Sequence, residues 1–456
     1  MAIQKSTSIL TVSAVARQNR ATFDGFVDRR RGKNTQYSLS DAALSAFSVF
    51  FMQSPSFLDF QRTMQETLGK NNAQTLFGVY RIPCDNHIRS LLDPVAPSSA
   101  YPLFHFIFDG LQQAGISDRY RATGQRLLLA LDGVEYFSSR KLPCAECSTR
   151  THGECTPYSH TAITPVLVCP GLDKVIPLPP EFVVPQDGHE KQDCEINASR
   201  RWLDREGARY AAWDVTVLGD DLYCHEPYCR DLLARGFEFI LVCKPASHSL
   251  LYEWVNDLAR TGDVHTVIVR RRVGQRWLTD TYRHVSDVPL RNDDAALTVQ
   301  WCELTTTTAD GKVLYHNPFA TSLPIDDEHV AEIVAAGRAR WKIENENNNI
   351  LKTKGYHFEH NYGHGHQHLA SLLATFIILA YLLHTMLEWM DDKFRLLRQK
   401  LPSRQRLFND MRALTSYHCF DSCENLIDFM LNGWSPRKQS KNPREAKRLR
   451  SPPVPA

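Results

Sequence analysis

The chain has 456 residues, of which 43% are hydrophobic, which is enough material for two or more domains with a substantial core. Its formal net charge is only +2, so any affinity for nucleic acid has to come from local basic patches rather than from a global field. The twelve cysteines are scattered and no secretory apolar segment follows Met1. We therefore expect reduced cysteines in a cytoplasmic protein, not a disulfide framework.

The first part of the chain, residues 1–120, is predicted to be mainly helical and carries no catalytic motif. Apolar residues recur at helical spacing in segments 38–51 and 57–68. Residues 85–92 indicate a further short helix, with Asp85 as its expected N-cap.

Two apolar runs further along the chain each end in an aspartate. Asp132 follows residues 127–131, and Asp220 follows residues 215–219. Both runs have the length and composition of buried strands. An acid at the end of a buried strand is costly unless it is paired or holds a metal, although a single one is usually a cap or turn residue. Two such acids favour a metal site.

The other elements after Asp132 alternate in the manner of an α/β fold. We predict a turn-rich stretch, then a strand near 163–168, a helix at about 190–205, the Asp220 strand, a helix at 226–235, a strand at 237–243 and a helix at 247–260. Residues 263–323 then alternate apolar and polar side chains between turn residues, which predicts a β-rich insertion.

The turn-rich stretch contains a cluster of potential zinc ligands. Cys144 and Cys147 form a Cys-x2-Cys pair, and Cys155 and His160 follow within a short distance. This spacing is typical of a tetrahedral structural Zn²⁺ site, although a single Cys-x2-Cys pair is less specific than two. Ordinary reduced cysteines are the alternative. The histidines of segment 362–368 could also bind a metal, but alternation of glycine and histidine before an apolar helix more often forms a loop.

The segment 337–354 is predicted to be one helix with an unusually polar face. Arg340, Glu344, Asn348 and Lys352 follow one another at intervals of four, so they fall on one side, and Lys354 lies on a different side. A carboxylate among bases and an amide suits a metal-bound phosphate. The alternative is a solvated helix face with ordinary ion pairs.

Two features near the C-terminus have competing interpretations. Residues 369–387 are long and apolar enough to span a membrane, but a single such segment next to histidines and acids favours a buried core helix. Residues 437–450 contain seven bases and one acid, and we expect a disordered tail that either contacts phosphate or is simply solvated.

Three motifs together carry a family resemblance: LALDGVEYFSS with Asp132, VLGDDLYCHEP with Asp220, and RARWKIENENNN with Glu344. In this order they resemble the ribonuclease-H-like core of bacterial insertion-sequence transposases with an Asp-Asp-Glu triad, over roughly residues 126–384. The resemblance favours Asp220 over its neighbour Asp221. Arg340 and Glu344 also match the family's Tyr-Arg-Glu-Lys signature, whereas Gly337 occupies the Tyr position and Leu351 the Lys position.

The resemblance implies an α/β fold with a ribonuclease-H-like mixed sheet, and a function in DNA strand cleavage and strand transfer. Asp132, Asp220 and Glu344 would hold Mg²⁺ or Mn²⁺, while Arg340, Asn348, Lys352 and Lys354 would contact DNA. The partners would be the terminal inverted repeats of the element and target DNA, bound by a homodimer in the cytoplasm at the nucleoid, with no membrane involved.

The implied organisation has five parts: residues 1–120 for binding of DNA ends or dimerisation, 121–262 and 324–395 for the catalytic core, 263–323 for the β-rich insertion, and 396–456 for a helical segment and the basic tail. A ribonuclease-H-like nuclease or resolvase and an inactive domesticated derivative that only binds DNA remain as alternatives. A two-carboxylate sugar hydrolase would not explain the cationic Glu344 segment.

Overall fold

The computed structural model describes residues 10–30, 35–64, 71–149, 157–185, 193–293 and 295–433. Its N-terminal part is helical, as predicted. Ser38 caps the second helix by accepting a hydrogen bond from the Asp41 N–H. The prediction that Asp85 caps the helix at residues 85–92 is wrong, because Cys84 is the N-cap and Asp85 is the first helical residue. The helices are α1 (Val12–Asp24), α2 (Leu39–Phe51), α3 (Phe57–Met64), α4 (Asn72–Phe77), α5 (Asp85–Leu92) and α6 (Tyr101–Gln113).

The described residues after α6 form fourteen strands and nine further α-helices. The strands are β1 (Arg121–Ala122), β2 (Arg126–Ala130), β3 (Gly133–Ser139), β4 (Ser148–Thr149), β5 (Tyr158–Ile163), β6 (Val166–Val168), β7 (Ile176–Pro177), β8 (Glu181–Val183), β9 (Val215–Gly219), β10 (Glu238–Val242), β11 (His265–Val273), β12 (Arg276–Pro289), β13 (Thr298–Thr308) and β14 (Val313–Thr321). The helices are α7 (Glu195–Ala211), α8 (Glu226–Ala234), α9 (Ser249–Thr261), α10 (Val330–Arg338), α11 (Asn349–Thr353), α12 (Leu369–Met390), α13 (Asp392–Lys400), α14 (Arg404–Tyr417) and α15 (Cys423–Asn432).

Ten of these strands form one mixed sheet, so the predicted α/β class is confirmed. Nine of them run in the order β11-β12-β13-β14-β10-β9-β2-β6-β7, and β1 pairs with β2. The central strands β2, β9 and β10 are parallel, and the other pairs are antiparallel. Strand β9 is buried at every position, which explains its mainly apolar sequence.

The chain between Asp132 and β6 differs from the prediction. The first residues of the stretch expected to be rich in turns form strand β3, which pairs with β5 in a second, four-stranded sheet. The single strand expected near 163–168 is two strands in two sheets, β5 and β6. Thr164 and Pro165 separate them, and a proline cannot donate a hydrogen bond to a ladder, so the strand is interrupted there.

The predicted β-rich character of residues 263–323, referred to below as the β-rich insertion, is confirmed by four strands, β11 to β14. They form an antiparallel meander whose last strand, β14, pairs with β10 along Ile240–Thr321 and Val242–Phe319. The insertion therefore continues the central sheet rather than forming a separate sheet.

Helix α12 lies at the centre of the helical part of the molecule. Within the described ranges it is the one helix long and apolar enough to cross a membrane, and 94% of its most apolar window is buried. Phe376 on this helix contacts Phe23 of α1 and Phe47 of α2, with ring centroids 5.3 and 6.4 Å away. The predicted buried core helix is confirmed, and one continuous core runs from Leu10 to Ile427 without a break at residue 120.

Candidate catalytic site

The two strand-terminal aspartates come to the same edge of the central sheet. Strands β2 and β9 are parallel neighbours in which Ala130 pairs with Leu218, and the Leu131 N–H donates to the Leu218 carbonyl at 2.9 Å. Asp132 and Asp220 each follow two residues beyond that pair. Because adjacent strands lie about 4.8 Å apart, the register places the two aspartates side by side.

The neighbouring acid Asp221 is engaged elsewhere. Its carboxylate accepts hydrogen bonds from the Lys244 N–H, at 2.6 Å, and from the Ser247 hydroxyl, both just beyond β10. The Asp220 carboxylate accepts the Leu222 N–H at 2.9 Å and contributes to the electrostatic field at Asp132. This arrangement favours Asp220 over Asp221 as the partner of Asp132.

Asp132 is the carboxyl group most strongly perturbed at this edge. Burial raises its pKa to about 7, and the negative charges of Glu344, Glu195 and Asp220 act in the same direction, while the positive charge of Arg340 opposes them. The charges of these four side chains, which come from separate parts of the chain, therefore all act on the Asp132 carboxyl group. A carboxylate disfavoured by both burial and like charges is a group that a bound cation would stabilise.

Glu195 is an acid that the sequence analysis did not single out. It is the first residue of α7, and a Cβ atom added to Gly133, the residue after Asp132, would overlap the Glu195 carboxyl group. A glycine at 133 is therefore needed for this close approach. Acids are common in the first turn of helices, so the sequence offered no distinctive signal for Glu195.

The Glu344 segment is not the single α-helix that was predicted. Helix α10 ends at Arg338, and residues Ile343–Asn348 form a π-helical turn in which the Asn349 N–H donates to the Glu344 carbonyl, five residues earlier. The Arg340 guanidinium donates to the Glu344 carboxylate at 2.7 Å. Because π-turns hold one extra residue, the face predicted from a four-residue interval does not continue beyond Glu344.

Asn348 accordingly lies apart from the exposed Glu344 side chain. It is buried, and its side-chain oxygen accepts hydrogen bonds from the Thr164 hydroxyl at 3.0 Å and the Asn347 amide at 2.9 Å. The Thr164 N–H donates to the Asp132 carbonyl at 3.1 Å. Asn348 thus links the Glu344 segment to the Asp132 turn through Thr164. Because its side chain is buried, Asn348 is not at the surface where a DNA contact was predicted.

The two lysines of the predicted DNA-contact set lie further along the segment. Lys352 forms an ion pair with Glu359 at 2.7 Å. Lys354 is exposed and lines a groove of about 660 Å³ together with Trp341 and Arg398. The four predicted contacts therefore do not form one continuous stripe.

Gly337, which occupies the Tyr position of the Tyr-Arg-Glu-Lys signature, has no room around it for a large side chain. A Cβ atom on Gly337 would lie 2.8 Å from Phe319 Cε1 and 2.9 Å from Ile240 Cγ2, because α10 packs directly on β14 and β10. The glycine at 337 is therefore required by the packing of this helix on the sheet.

The predicted zinc ligands are brought together in part. Cys144, Cys147 and His160 form a cluster, while Cys155 lies outside the described residues. His364, for which a loop was favoured over metal binding, is the fourth member of this cluster. The alternation of glycine and histidine before α12 was the available signal.

The two tryptophans of the β-rich insertion have different environments. Trp301 is 1% exposed and packs edge-on against Tyr252, as expected of a core residue. Trp277 is 55% exposed on β12, opposite Arg272 on the edge strand β11. An exposed aromatic beside a base is suited to contact with a nucleic acid.

Comparison with known proteins adds no family assignment. No family model and no curated protein sequence matches this chain. Functional inference therefore rests on the three acidic motifs and on where the fold brings them.

Proposed function

We propose that this protein is a DNA transposase that cleaves and joins DNA strands at the ends of an insertion sequence with the help of divalent cations. The observation that carries the proposal is that the negative charges of Asp220 and Glu344 both act on the buried Asp132 carboxyl group. Asp132 and Asp220 end adjacent parallel strands, and all three acids belong to one electrostatic cluster centred on Asp132. Three carboxylates from distant motifs are a typical binding site for Mg²⁺ or Mn²⁺.

The strand order is a second support for the proposal. The part of the central sheet that runs β7-β6-β2-β9-β10 has three antiparallel strands followed by two strands parallel to β2. We infer a ribonuclease-H-like core from this order, with β2 and β9 supplying the two aspartates. The β-rich insertion follows the last core strand and precedes the Glu344 segment, as in the transposases that the motifs resemble.

The residues at this edge suit a divalent cation. The buried position of Asp132 and its three acidic neighbours disfavour an uncompensated carboxylate, so a cation would relieve the local repulsion. When bound, such ions would activate the attacking oxygen and stabilise the leaving 3′ oxygen. Asp132 has to release its proton before it can serve as a ligand.

The basic side chains would orient the DNA. Arg340 is held beside Glu344 by their ion pair, so its planar guanidinium is available next to the acids for a phosphate group. Lys352 and Lys354 would contact phosphates farther from the reacting strand. The exposed hairpin of β11 and β12, with Arg272 and Trp277, offers a second DNA surface, and a homodimer would pair two DNA ends.

Strand cleavage by the full chain tests this proposal. DNA duplexes carrying the sequences that flank the gene should contain inverted repeats, and the protein with Mg²⁺ should release a 3′ hydroxyl at their ends. Asp132→Ala, Asp220→Ala and Glu344→Ala should each abolish cleavage while binding of the ends persists, because these acids make little contact with DNA themselves.

The other outcomes of this assay separate the alternatives. Cleavage without joining to target DNA would indicate a nuclease or resolvase. Binding without any cleavage by the wild-type chain would indicate a domesticated DNA-binding protein. Cleavage by Asp220→Ala together with its loss in Asp221→Ala would contradict the assignment of Asp220.

A further inference from the structure

We propose that Cys144, Cys147, His160 and His364 bind one structural Zn²⁺ ion that ties the chain after Asp132 to the chain after Glu344. One ligand atom from each of the four residues lies within 4.8 Å of every other. The cluster joins two distant parts of the sequence, because Cys144, Cys147 and His160 lie before or on β5, whereas His364 precedes α12.

The distances between the ligand atoms fit a tetrahedral zinc ion. Cys144 Sγ and Cys147 Sγ are 3.6 Å apart, and each lies 3.4 Å from His160 Nε2. Cys147 Sγ is 3.6 Å from His364 Nε2. Zinc bonds of about 2.3 Å to sulfur and 2.0–2.1 Å to nitrogen give tetrahedral edges of about 3.8 Å between sulfurs and about 3.6 Å between sulfur and nitrogen.

The two cysteines occupy a compact turn suited to metal binding. The Cys144 N–H donates to the Cys147 sulfur at 3.4 Å, and the Cys147 N–H donates to the Cys144 carbonyl at 3.2 Å. A backbone N–H directed at sulfur stabilises a thiolate, which is the form that binds zinc.

The two histidine rings are oriented by aromatic side chains of β3. Tyr136 stacks on the His160 ring with centroids 5.6 Å apart, and Phe137 contacts the His364 ring at 4.5 Å. These contacts hold both rings beside the cysteines, so both Nε2 atoms face the same point.

His364 is delivered to the cluster by contacts that do not involve the cysteines. The Asp93 carboxylate accepts the N–H groups of His366 and Gln367 at 3.0 Å and of Leu369 at 3.3 Å. Gly365, between His364 and His366, has a φ of +70° and packs on Asp93, which a side chain there would prevent. The loop is therefore built to present His364, which argues against a chance approach.

Four protein ligands leave no open position, so the site would be structural rather than catalytic. Its role follows from its place in the fold. Strand β3 begins directly after Asp132, and His364 lies between the Glu344 segment and α12, so the ion would fix two of the three acid-bearing segments relative to each other. Two thiolates and two imidazoles favour Zn²⁺ over Mg²⁺ or Mn²⁺.

Metal analysis of the full chain, purified without chelators, tests the proposal. We expect about one zinc per chain in the wild type and in Asp220→Ala, which separates this site from the acidic one. Cys147→Ser and His364→Ala should lose the zinc and unfold at lower temperature, since binding of a structural metal is coupled to folding. Cobalt substitution should give a sulfur-to-metal charge-transfer absorption in the wild type that Cys147→Ser weakens.

Matched controls identify the ligands. His366→Ala changes an exposed histidine two residues from His364, and Cys169→Ser changes a buried cysteine outside the cluster, so both should retain zinc. Cys155→Ser should also retain it, and His364→Cys should restore binding if His364→Ala fails to fold. The proposal would be overturned if the wild type contained no zinc or had a Cys144–Cys147 disulfide in place of the metal. It would also be overturned if Cys155→Ser lost zinc and His364→Ala retained it.

Discussion

The carboxyl group of Asp132 should couple the stability of the metal-free protein to pH. Its pKa is about 7 in the folded chain against an ordinary value of 3.8, so the folded state retains a proton that the unfolded state loses. The resulting stabilisation is complete below about pH 4 and is lost as the pH rises through 7. We expect the free energy of unfolding by urea, measured from about pH 5 to 8 without metal, to fall more in the wild type than in Asp132→Asn.

Glu195→Gln gives an intermediate case for the same measurement. This substitution removes one negative neighbour and leaves Asp132 in place, so the pKa of Asp132 should decrease. The free energy of unfolding should therefore fall at a lower pH than in the wild type. Glu135→Gln on the exposed side of β3 is the control and should behave like the wild type. Identical pH profiles for the wild type and Asp132→Asn would contradict a raised pKa.

Gly337→Tyr should destabilise the protein, although tyrosine stands at this position in the signature of the transposases that the motifs resemble. The new side chain has to displace Phe319 and Ile240 beneath α10, and such overpacking typically costs about 1–3 kcal/mol. Urea unfolding should show this loss, with a smaller one for Gly337→Ala. A tyrosine variant as stable as the wild type would show that α10 can move away from the sheet.

At the scale of elements, Thr164 positions the Glu344 segment against the Asp132 turn. Its N–H donates to the Asp132 carbonyl and its hydroxyl to Asn348, so Thr164→Val keeps the shape but loses the second hydrogen bond. We expect a lower rate of strand cleavage with unchanged affinity for DNA ends, and recovery in Thr164→Ser. An equal effect of both substitutions would assign Thr164 to packing alone.

The sequence predicted those elements best in which one physical signal dominates. The apolar runs before Asp132 and Asp220 predicted β2 and β9, because strands buried on both faces are mainly apolar rather than alternating. The π-turn at Ile343–Asn348 could not be predicted, since one extra residue leaves no mark on a polar segment. Glu195 and His364 reach their clusters only through tertiary contacts, which local patterns do not encode.

For the whole molecule, the helices before residue 120 should be inseparable from the rest. Phe23 and Phe47 cover Phe376 on α12, so removal of residues 1–120 would expose a long apolar helix. We expect the truncated chain to be insoluble or to lose its cooperative unfolding transition. A soluble fragment that unfolds cooperatively would instead show that the chain after residue 120 folds by itself, as the predicted domain boundary implied.

We propose that the carboxylates of Asp132, Asp220 and Glu344 catalyse DNA strand transfer. This proposal can be tested by joining a pre-cleaved DNA end to target DNA. A duplex that already carries the 3′ hydroxyl end of the element is incubated with the full chain, Mg²⁺ and a supercoiled plasmid, and the joined product is measured and sequenced. We expect joining by the wild type and none by Asp132→Ala, Asp220→Ala or Glu344→Ala, although each still binds the end. Joining that persists in any of these three variants would contradict the proposal.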